Sequence, residues 1–459
     1  MARIFAERRR TGRLDLEAVE MALRATLHLA GAAGLTQLLT EEPPQERHLP
    51  CACGGTADYQ ELRSKSVLTA VGPAQMLRPY YLCSQCSKGQ FPTDRTLDVA
   101  GTGFSPGVQR MLGLVGSECS SFRLGAEQLL LLAGLEVTAK AVERISEAIG
   151  ADIAKREQAE VQKALQLELP AAAGPPVSTL YVELDGTGVP VAPTESEGRK
   201  GREEGQPART REAKLGCVFT QTTVDEEGYA VRDEASTTYL GAIQTSEEFG
   251  RALYTEAYRR GWSRAVHRVV LADGQHYNWT IAQEHFPRAV QIVDLGHARE
   301  HVWELGGKLY PSDTAAKVGW SKAHQHWLDA GEIESLVSSL QSIGAARLEL
   351  ADHIQTEANY FETNAERMRY PTFRSRGFFV GTGVIEAACK TIIGGRLKRS
   401  GMFWTVRGAN SIIALRCCRL SGRFEDYWEQ RHALPPVIAG AVPNARSTSM
   451  PNVLENARD

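Results

Sequence analysis

Three acidic residues occupy positions where a charge is costly unless it binds something. Asp185 lies on a predicted buried strand and precedes Gly-Thr-Gly, Asp273 ends an apolar run and precedes Gly274, and Glu386 lies at a predicted helix start among small residues. Each alone could be a turn cap, an Asp-Gly turn or a helix-start charge. Together they indicate a site for two hard divalent cations, Mg²⁺ or Mn²⁺, acting on a phosphodiester.

Four of the nine cysteines form two close pairs, Cys51 with Cys53 and Cys83 with Cys86. Turn residues follow each pair, and a strand-like segment lies between the pairs. Two knuckles joined by strands predict a zinc ribbon in which four thiolates hold one structural Zn²⁺. The first pair has one intervening residue where two are usual, and two pairs of buried or free thiols are the alternative. The odd total argues against a disulfide framework.

Hydrophobic periodicity predicts the elements that position these residues. Residues 12–40 and 104–165 are predicted to be helical. Gly134 followed by Thr138 gives the pattern helix, glycine turn, capped helix, which is compatible with helix-turn-helix but also with a plain helical bundle. Strands are predicted at 178–191, 217–224, 237–243, 267–271 and 290–293, with a helix at 246–260 before the last two. Three strands, a helix, then strand, helix and strand is the order of a ribonuclease-H-like α/β core.

The charge distribution indicates where nucleic acid would bind. The formal net charge is only −3, so a nucleic-acid surface must be local. Residues 387–423, directly after Glu386, include eight basic residues and no acidic one, and could neutralise several phosphates. Phe403 and Trp404 could stack on an unpaired base, or could be a core aromatic pair. The residues expected to contact DNA are Lys390, Arg396, Lys398, Arg399, Trp404 and Arg407.

Several segments resemble a known protein family. They are residues 184–190, 214–220, 400–404, 408–410 and 416–420. With Asp185, Asp273 and Glu386 in this order, they are similar to the Kra-type family of bacterial insertion-sequence transposases, relatives of Mutator-like elements, over residues 12 to about 430. The resemblance implies that the three acids are a DDE triad, and that the zinc ribbon belongs to an N-terminal DNA-binding part.

The segment from Asp294 to His297 is spaced like the Cys-x-x-His pair of Mutator-like relatives, with Asp in the first position. Asp294 is therefore either a fourth carboxylate of the metal site or a residue that orients a helix. Asp294 and His297 are both possible additional site residues, although histidines on a helix face are more often structural.

The predicted organisation has five segments. They are an N-terminal helical segment (1–48), a zinc-ribbon-like module (49–95), a helical DNA-binding region (96–170), a ribonuclease-H-like catalytic domain (177–430) with a helical insertion at about 297–370, and a flexible tail (431–459). The apolar stretch 27–39 is too short to span a bilayer, so we expect no membrane association and a cytoplasmic, nucleoid-associated protein.

The sequence thus predicts a DNA transposase of a mobile element. It would cleave the ends of an insertion sequence and join them to target DNA, using two Mg²⁺ or Mn²⁺ ions and one structural Zn²⁺. The expected partners are terminal inverted repeats, target DNA and at least one further copy of the chain. One alternative is a catalytically silent DNA-binding protein derived from a transposase. A glycosidase using paired acids is another, but it would have no use for a zinc ribbon or a basic stretch.

Overall fold

The computed structural model describes residues 15–169, 174–201 and 206–433. The chain divides into two compact units, residues 1–108 with 428–459, and residues 109–427. The finer division into five segments stays a prediction, and most of the expected tail at 431–459 lies outside the described residues. Within the described ranges, every helix is too short or too polar to cross a lipid bilayer.

The first unit combines one long helix with a small antiparallel sheet. Helix α1 (Leu16–Leu38) begins at Asp15, whose side chain accepts a hydrogen bond from the amide of Ala18. The sheet has the order β1 (His48–Pro50), β2 (Thr56–Thr69), β3 (Gly72–Cys83) and β4 (Gly89–Gln90). Helix α2 (Pro92–Thr96) follows. The strand-like segment predicted between the cysteine pairs is present as β2 and β3, which are joined by a turn between Thr69 and Gly72.

Three helices open the second part of the chain: α3 (Pro106–Glu118), α4 (Phe122–Ala133) and α5 (Ala139–Leu165). Gly134 ends α4 in the left-handed conformation (φ 68°), and the Thr138 hydroxyl caps α5 by accepting from Ala141, as the sequence predicted. At Gly150 of α5, an added Cβ would lie 1.9 Å from the carbonyl oxygen of Ser411. This close approach requires glycine and packs α5 into the core of its unit.

The core of the second unit is a mixed five-stranded sheet. Its strands are β5 (Val177–Pro190), β6 (Thr210–Gln221), β9 (Thr238–Ala242), β10 (Ala265–Ala272) and β11 (Val290–Val293), in the order β11-β10-β5-β6-β9. The pairings β5–β6 and β6–β9 are antiparallel, whereas β5–β10 and β10–β11 are parallel. Between β6 and β9 lies a short hairpin of β7 (Thr223–Val224) and β8 (Ala230–Val231).

Further helices lie between and after these strands in the chain. They are α6 (Ser246–Arg259), α7 (His276–His285), α8 (Leu295–Leu309), α9 (Thr314–Ala330), α10 (Ile333–Ala346), α11 (Ala351–Thr363), α12 (Tyr370–Ser375), α13 (Gly383–Ala388), α14 (Val406–Leu420) and α15 (Phe424–Ala433). A π-helical turn (Cys389–Gly394) follows α13. The region predicted as a helical insertion is helical from Leu295 onwards, and α13 returns the chain to the sheet.

Candidate active site and zinc site

Asp185 and Asp273 lie at one edge of the sheet because their strands are parallel neighbours. Leu184 of β5 pairs with Ala272 of β10, and this pair is the last of the parallel ladder. The next residue of each chain segment is the predicted aspartate. The backbones of adjacent strands lie about 4.8 Å apart. Two carboxylates at the same register of such strands can therefore reach a shared ligand.

Glu386 lies on α13, the short helix beside these aspartates. The thiol of Cys389, one turn after Glu386, donates to Oδ2 of Asp185 at 3.2 Å. Burial raises the pKa of Asp185, and the charges of Asp273 and Glu386 raise it further, against hydrogen bonds from Cys389 and the amide of Gly186. The charges of Asp273 and Glu386 therefore both act on Asp185.

The three carboxylates are nevertheless not gathered as tightly as metal ligands. Among the described residues, the four cysteines are the only group of three or more His, Cys, Asp or Glu side chains spaced to hold one ion. Asp273 is engaged by its own turn: it accepts from the backbone amide of Gln275 at 3.1 Å, from the Gln275 side chain at 2.8 Å and from Asn278 at 2.6 Å. Glu386 is half-exposed, and its oxygen lies 3.8 Å from Nζ of Lys390.

Sequence reasoning missed Glu183, which is fully buried on β5. Its Oε2 accepts from the amide of Ile385 at 2.9 Å, whereas Oε1 has no hydrogen-bond partner among the described residues. Burial raises the pKa of this carboxyl to about 8. Its spacing of two residues from Asp185 places both on the same face of the strand, and that alternation was the signal available in the sequence.

Asp294 holds two segments of backbone together. One oxygen caps α8 by accepting from the amide of His297. The other accepts from the amide of Thr382 at 2.6 Å and from its hydroxyl at 2.9 Å. These bonds support the alternative in which Asp294 orients a helix. His297 is part-exposed, and its Nδ1 lies 3.4 Å from Oε2 of Glu300 on the surface of α8.

The cysteine pairs of the first unit come together at one point. The ligand atoms of Cys51, Cys53, Cys83 and Cys86 all lie within 4.8 Å of one another. Sγ of Cys51 is 3.6 Å from Sγ of Cys86, and Sγ of Cys53 is 3.6 Å from Sγ of Cys83. Four sulfurs about 2.3 Å from a tetrahedral Zn²⁺ have similar mutual separations.

Backbone turns shape both cysteine knuckles. The amide of Gly54 donates to the carbonyl of Cys51, and the amide of Ser87 donates to the carbonyl of Cys83, each at 2.9 Å. Gly54 and Ser87 both have positive φ angles. The cluster could therefore bind zinc, and the shorter spacing of the first pair does not prevent four sulfurs from meeting.

The prediction that Arg396 and Trp404 contact DNA is wrong, because both side chains lie in the core. Arg396 is fully buried. Its guanidinium lies over the ring of Phe122 at 4.2 Å and donates to the carbonyl of Gly116 at 3.1 Å. Trp404 is only 7% exposed, and its indole N–H donates to the carbonyl of Leu397 at 3.1 Å. Neither side chain can reach a phosphate or an unstacked base.

Other basic side chains of residues 387–423 also bond to groups of the protein itself. Arg416 is buried and donates to the carbonyls of Ile392 and Thr391. Arg419 pairs with Glu118 at 2.7 Å, and Arg423 pairs with Glu256 at 2.6 Å. The count of eight basic residues therefore overstated the charge that this stretch presents to solvent.

The remaining expected DNA contacts lie on the surface. Lys390, Lys398, Arg399 and Arg407 are exposed. Nζ of Lys398 donates to the hydroxyl of Thr187, two residues after Asp185 on β5. Phe403 is 66% exposed, and its ring lines a cavity of about 610 Å³ with Arg209. Of the two neighbouring aromatic residues, Phe403 is thus the one whose ring is accessible.

No protein-family profile and no curated protein matches the chain. Among solved structures, the chain is similar to the Drosophila P element transposase strand transfer complex, with 10% identity and a TM-score of 0.26, over 75% of this chain and 84% of that chain. A likeness at this level is weak and carries no conclusion on fold or function.

Proposed function

We propose that this chain is a DDE-type DNA transposase with a ribonuclease-H-like core. The observation that carries the proposal is the placement of Asp185 and Asp273 at the same register of neighbouring parallel strands, with Glu386 on the helix beside them. The order of strands and helices in the sheet agrees with such a core, and so does the resemblance of the surrounding segments to Kra-type transposases.

The donor set fits divalent cations. Asp185, Asp273 and Glu386 offer oxygen ligands, which Mg²⁺ and Mn²⁺ prefer. Burial raises the pKa of Asp185, and the negative charges of Asp273 and Glu386 raise it further; a bound cation would offset this repulsion. When bound, two ions would activate the attacking oxygen and stabilise the leaving oxygen of the phosphodiester. The carboxylates would hold the ions, and the protein would contribute positioning and charge, with no covalent nucleophile.

The surface around the site suits a phosphate backbone. Lys398 contacts Thr187 beside Asp185, and Lys390 lies beside Glu386. Lysines next to three carboxylates would hold DNA phosphates against the site, which contributes to affinity without reading sequence. The partners would be the inverted ends of the element, target DNA and a second copy of the chain, because two ends must be joined.

Strand cleavage by substituted proteins tests the proposal. We expect Asp185→Asn, Asp273→Asn and Glu386→Gln each to abolish metal-dependent nicking of DNA that carries the element ends, while DNA affinity measured in Ca²⁺ stays close to that of the wild type. Asp313→Asn is the matched control, because Asp313 is an exposed cap of α9. Near wild-type nicking by any of the three variants would show that the residue is misassigned. DNA binding without cleavage by the wild type would favour the catalytically silent alternative.

A further inference from the structure

The start of α13 is held by two buried carboxylates, one on β5 and one directly after β11. Oε2 of Glu183, on β5, accepts from the amide of Ile385 at 2.9 Å. Oδ2 of Asp294, directly after β11, accepts from the amide of Thr382 at 2.6 Å and from its hydroxyl at 2.9 Å. Both carboxylates are buried, and no basic side chain within the described ranges forms an ion pair with either.

These bonds satisfy groups that the helix itself leaves unpaired. The first amides of any α-helix have no partner within the helix, and a helix of six residues is not stable alone. The side chain of Thr382, the residue before α13, does not cap it. The acceptors for these amides come instead from β5 and from the residue directly after β11, so the position of α13 follows from the positions of these two strands.

Glu386 lies within this tethered segment. Ile385 is the residue directly before it, and the hydroxyl of Thr382 lies 3.4 Å from its Oε1. Glu183 and Asp185 share one face of β5. This strand therefore carries one carboxylate of the site, Asp185, and also Glu183, which tethers the helix that carries Glu386. One turn after Glu386, Cys389 contacts Asp185 from the helix side.

We infer that Glu183 and Asp294 are positioning residues that act as a clamp on residues 382–386 and thereby fix Glu386 relative to Asp185. The inference rests on the proposed function. Neither residue is a catalytic residue in this scheme, because their bonded oxygens accept from backbone amides and from a threonine hydroxyl. The clamp acts on the geometry of the third carboxylate alone.

Two substitutions of Glu183 separate the hydrogen bond from the charge and the volume. Glu183→Gln keeps a carbonyl oxygen that can accept from Ile385. Glu183→Met keeps a side chain of similar length and removes the acceptor. We expect Glu183→Met to lower the cleavage rate roughly 10- to 100-fold, because a displacement of about 1 Å at a reacting group can cost this much. The half-saturating Mg²⁺ concentration should rise with it, whereas DNA affinity should not change.

Glu183→Gln should restore both quantities to near the wild-type values. Leu253→Ala is the matched control for reduced stability, because Leu253 is fully buried on α6 in the same unit. It should lower the melting temperature without changing the half-saturating Mg²⁺ concentration. Equal losses in the Gln and Met variants would overturn the inference by showing that the carboxylate itself acts. So would a Met variant whose losses resemble those of Leu253→Ala.

Hydrogen exchange of a peptide covering residues 381–389 gives a readout that does not depend on cleavage. Exchange at Ile385 should accelerate in the Met variant and not in the Gln variant, and unchanged protection would overturn the clamp. If the wild-type protein fails to cleave DNA with any metal, the proposed function fails while this readout still decides the clamp. Should Glu183→Met not fold, Thr382→Val against Thr382→Ser tests the hydroxyl bond to Asp294, while the amide of Thr382 can still donate to Asp294 in both variants.

Discussion

Arg396 offers a sharp test of which basic residues face DNA. Burial lowers its pKa to about 10 from an ordinary value of 12.5. Holding the charged form in the folded protein therefore costs about 3 kcal/mol, at roughly 1.4 kcal/mol per pKa unit. The compensation comes from the bond to Gly116 and from ring contacts at 4.2 Å with Phe122 and 5.2 Å with Trp404.

The size of the effect follows from these interactions. A hydrogen bond from a charged group contributes about 1.5–3 kcal/mol, and a desolvated cation–π contact contributes about 2 kcal/mol. Arg396→Met removes the hydrogen bond and the cation–π contact and also the cost of the buried charge, so we expect the free energy of unfolding to fall by only about 0.5–2 kcal/mol. Arg396→Ala additionally leaves a cavity, which costs about 2–5 kcal/mol more.

Denaturant unfolding and salt-dependent DNA binding together decide whether Arg396 belongs to the core or contacts DNA. Both Arg396 variants should be destabilised in the stated order and keep the wild-type slope of log affinity against log salt. Lys398→Ala and Arg399→Ala should instead keep stability and flatten that slope by roughly 0.9 for each DNA phosphate that the variant no longer neutralises. The assignment of Arg396 to the core is refuted if Arg396→Met retains full stability and flattens the slope.

Three further predictions concern the zinc site, the aromatic pair and the buried glutamate. Purified protein should hold about one zinc ion by elemental analysis, and Cys83→Ser and Cys86→Ser should abolish its binding; zinc content near zero in the wild type would contradict the ribbon. Trp404→Ala should lower the free energy of unfolding by about 3–5 kcal/mol with no selective effect on cleavage, whereas Phe403→Ala should leave the melting temperature unchanged; the reverse pattern would return the base-holding role to Trp404. The pKa of Glu183 is about 8 in the folded state against 4.5 ordinarily, so between these pH values the unfolded chain is ionised while the folded chain keeps its proton. Stability should therefore fall as pH rises through this window, by up to about 1.4 kcal/mol per pH unit, and Glu183→Gln should remove that fall; superimposable pH profiles of the two proteins would contradict the raised pKa.

Local sequence patterns predicted the elements and part of the site. Strand β11 was predicted with its observed ends, and β5 within one residue of each end, because apolar runs bounded by turn residues are local signals. The same runs placed Asp185 on a strand and Asp273 directly after another, and the parallel pairing of these strands brings the two residues to the same register. Strand β6 begins earlier than predicted, at Thr210, because its polar first half pairs with the far end of β5.

Contacts between distant parts of the chain were not predictable in this way. The buried guanidinium of Arg396 donates to the carbonyl of Gly116, which lies 280 residues earlier in the chain. Nothing in the spacing of the basic residues indicates that partner. Glu183 was passed over because its bond to Ile385 spans 202 residues. In both cases a charge was judged by its neighbours in sequence, whereas its environment is set by elements from elsewhere in the fold.

The bond between Asp294 and Thr382 also has a consequence for the long helical stretch between them. These residues are 88 positions apart, and the amide of Leu295 donates to the carbonyl of Val380 at 2.9 Å. The stretch therefore leaves and rejoins the sheet at almost the same point, as a closed loop does. The distance between β11 and Glu386 therefore does not depend on how many residues this stretch contains. Insertions or deletions in the turns between its helices would then change what the loop presents to its surroundings while the three carboxylates keep their spacing.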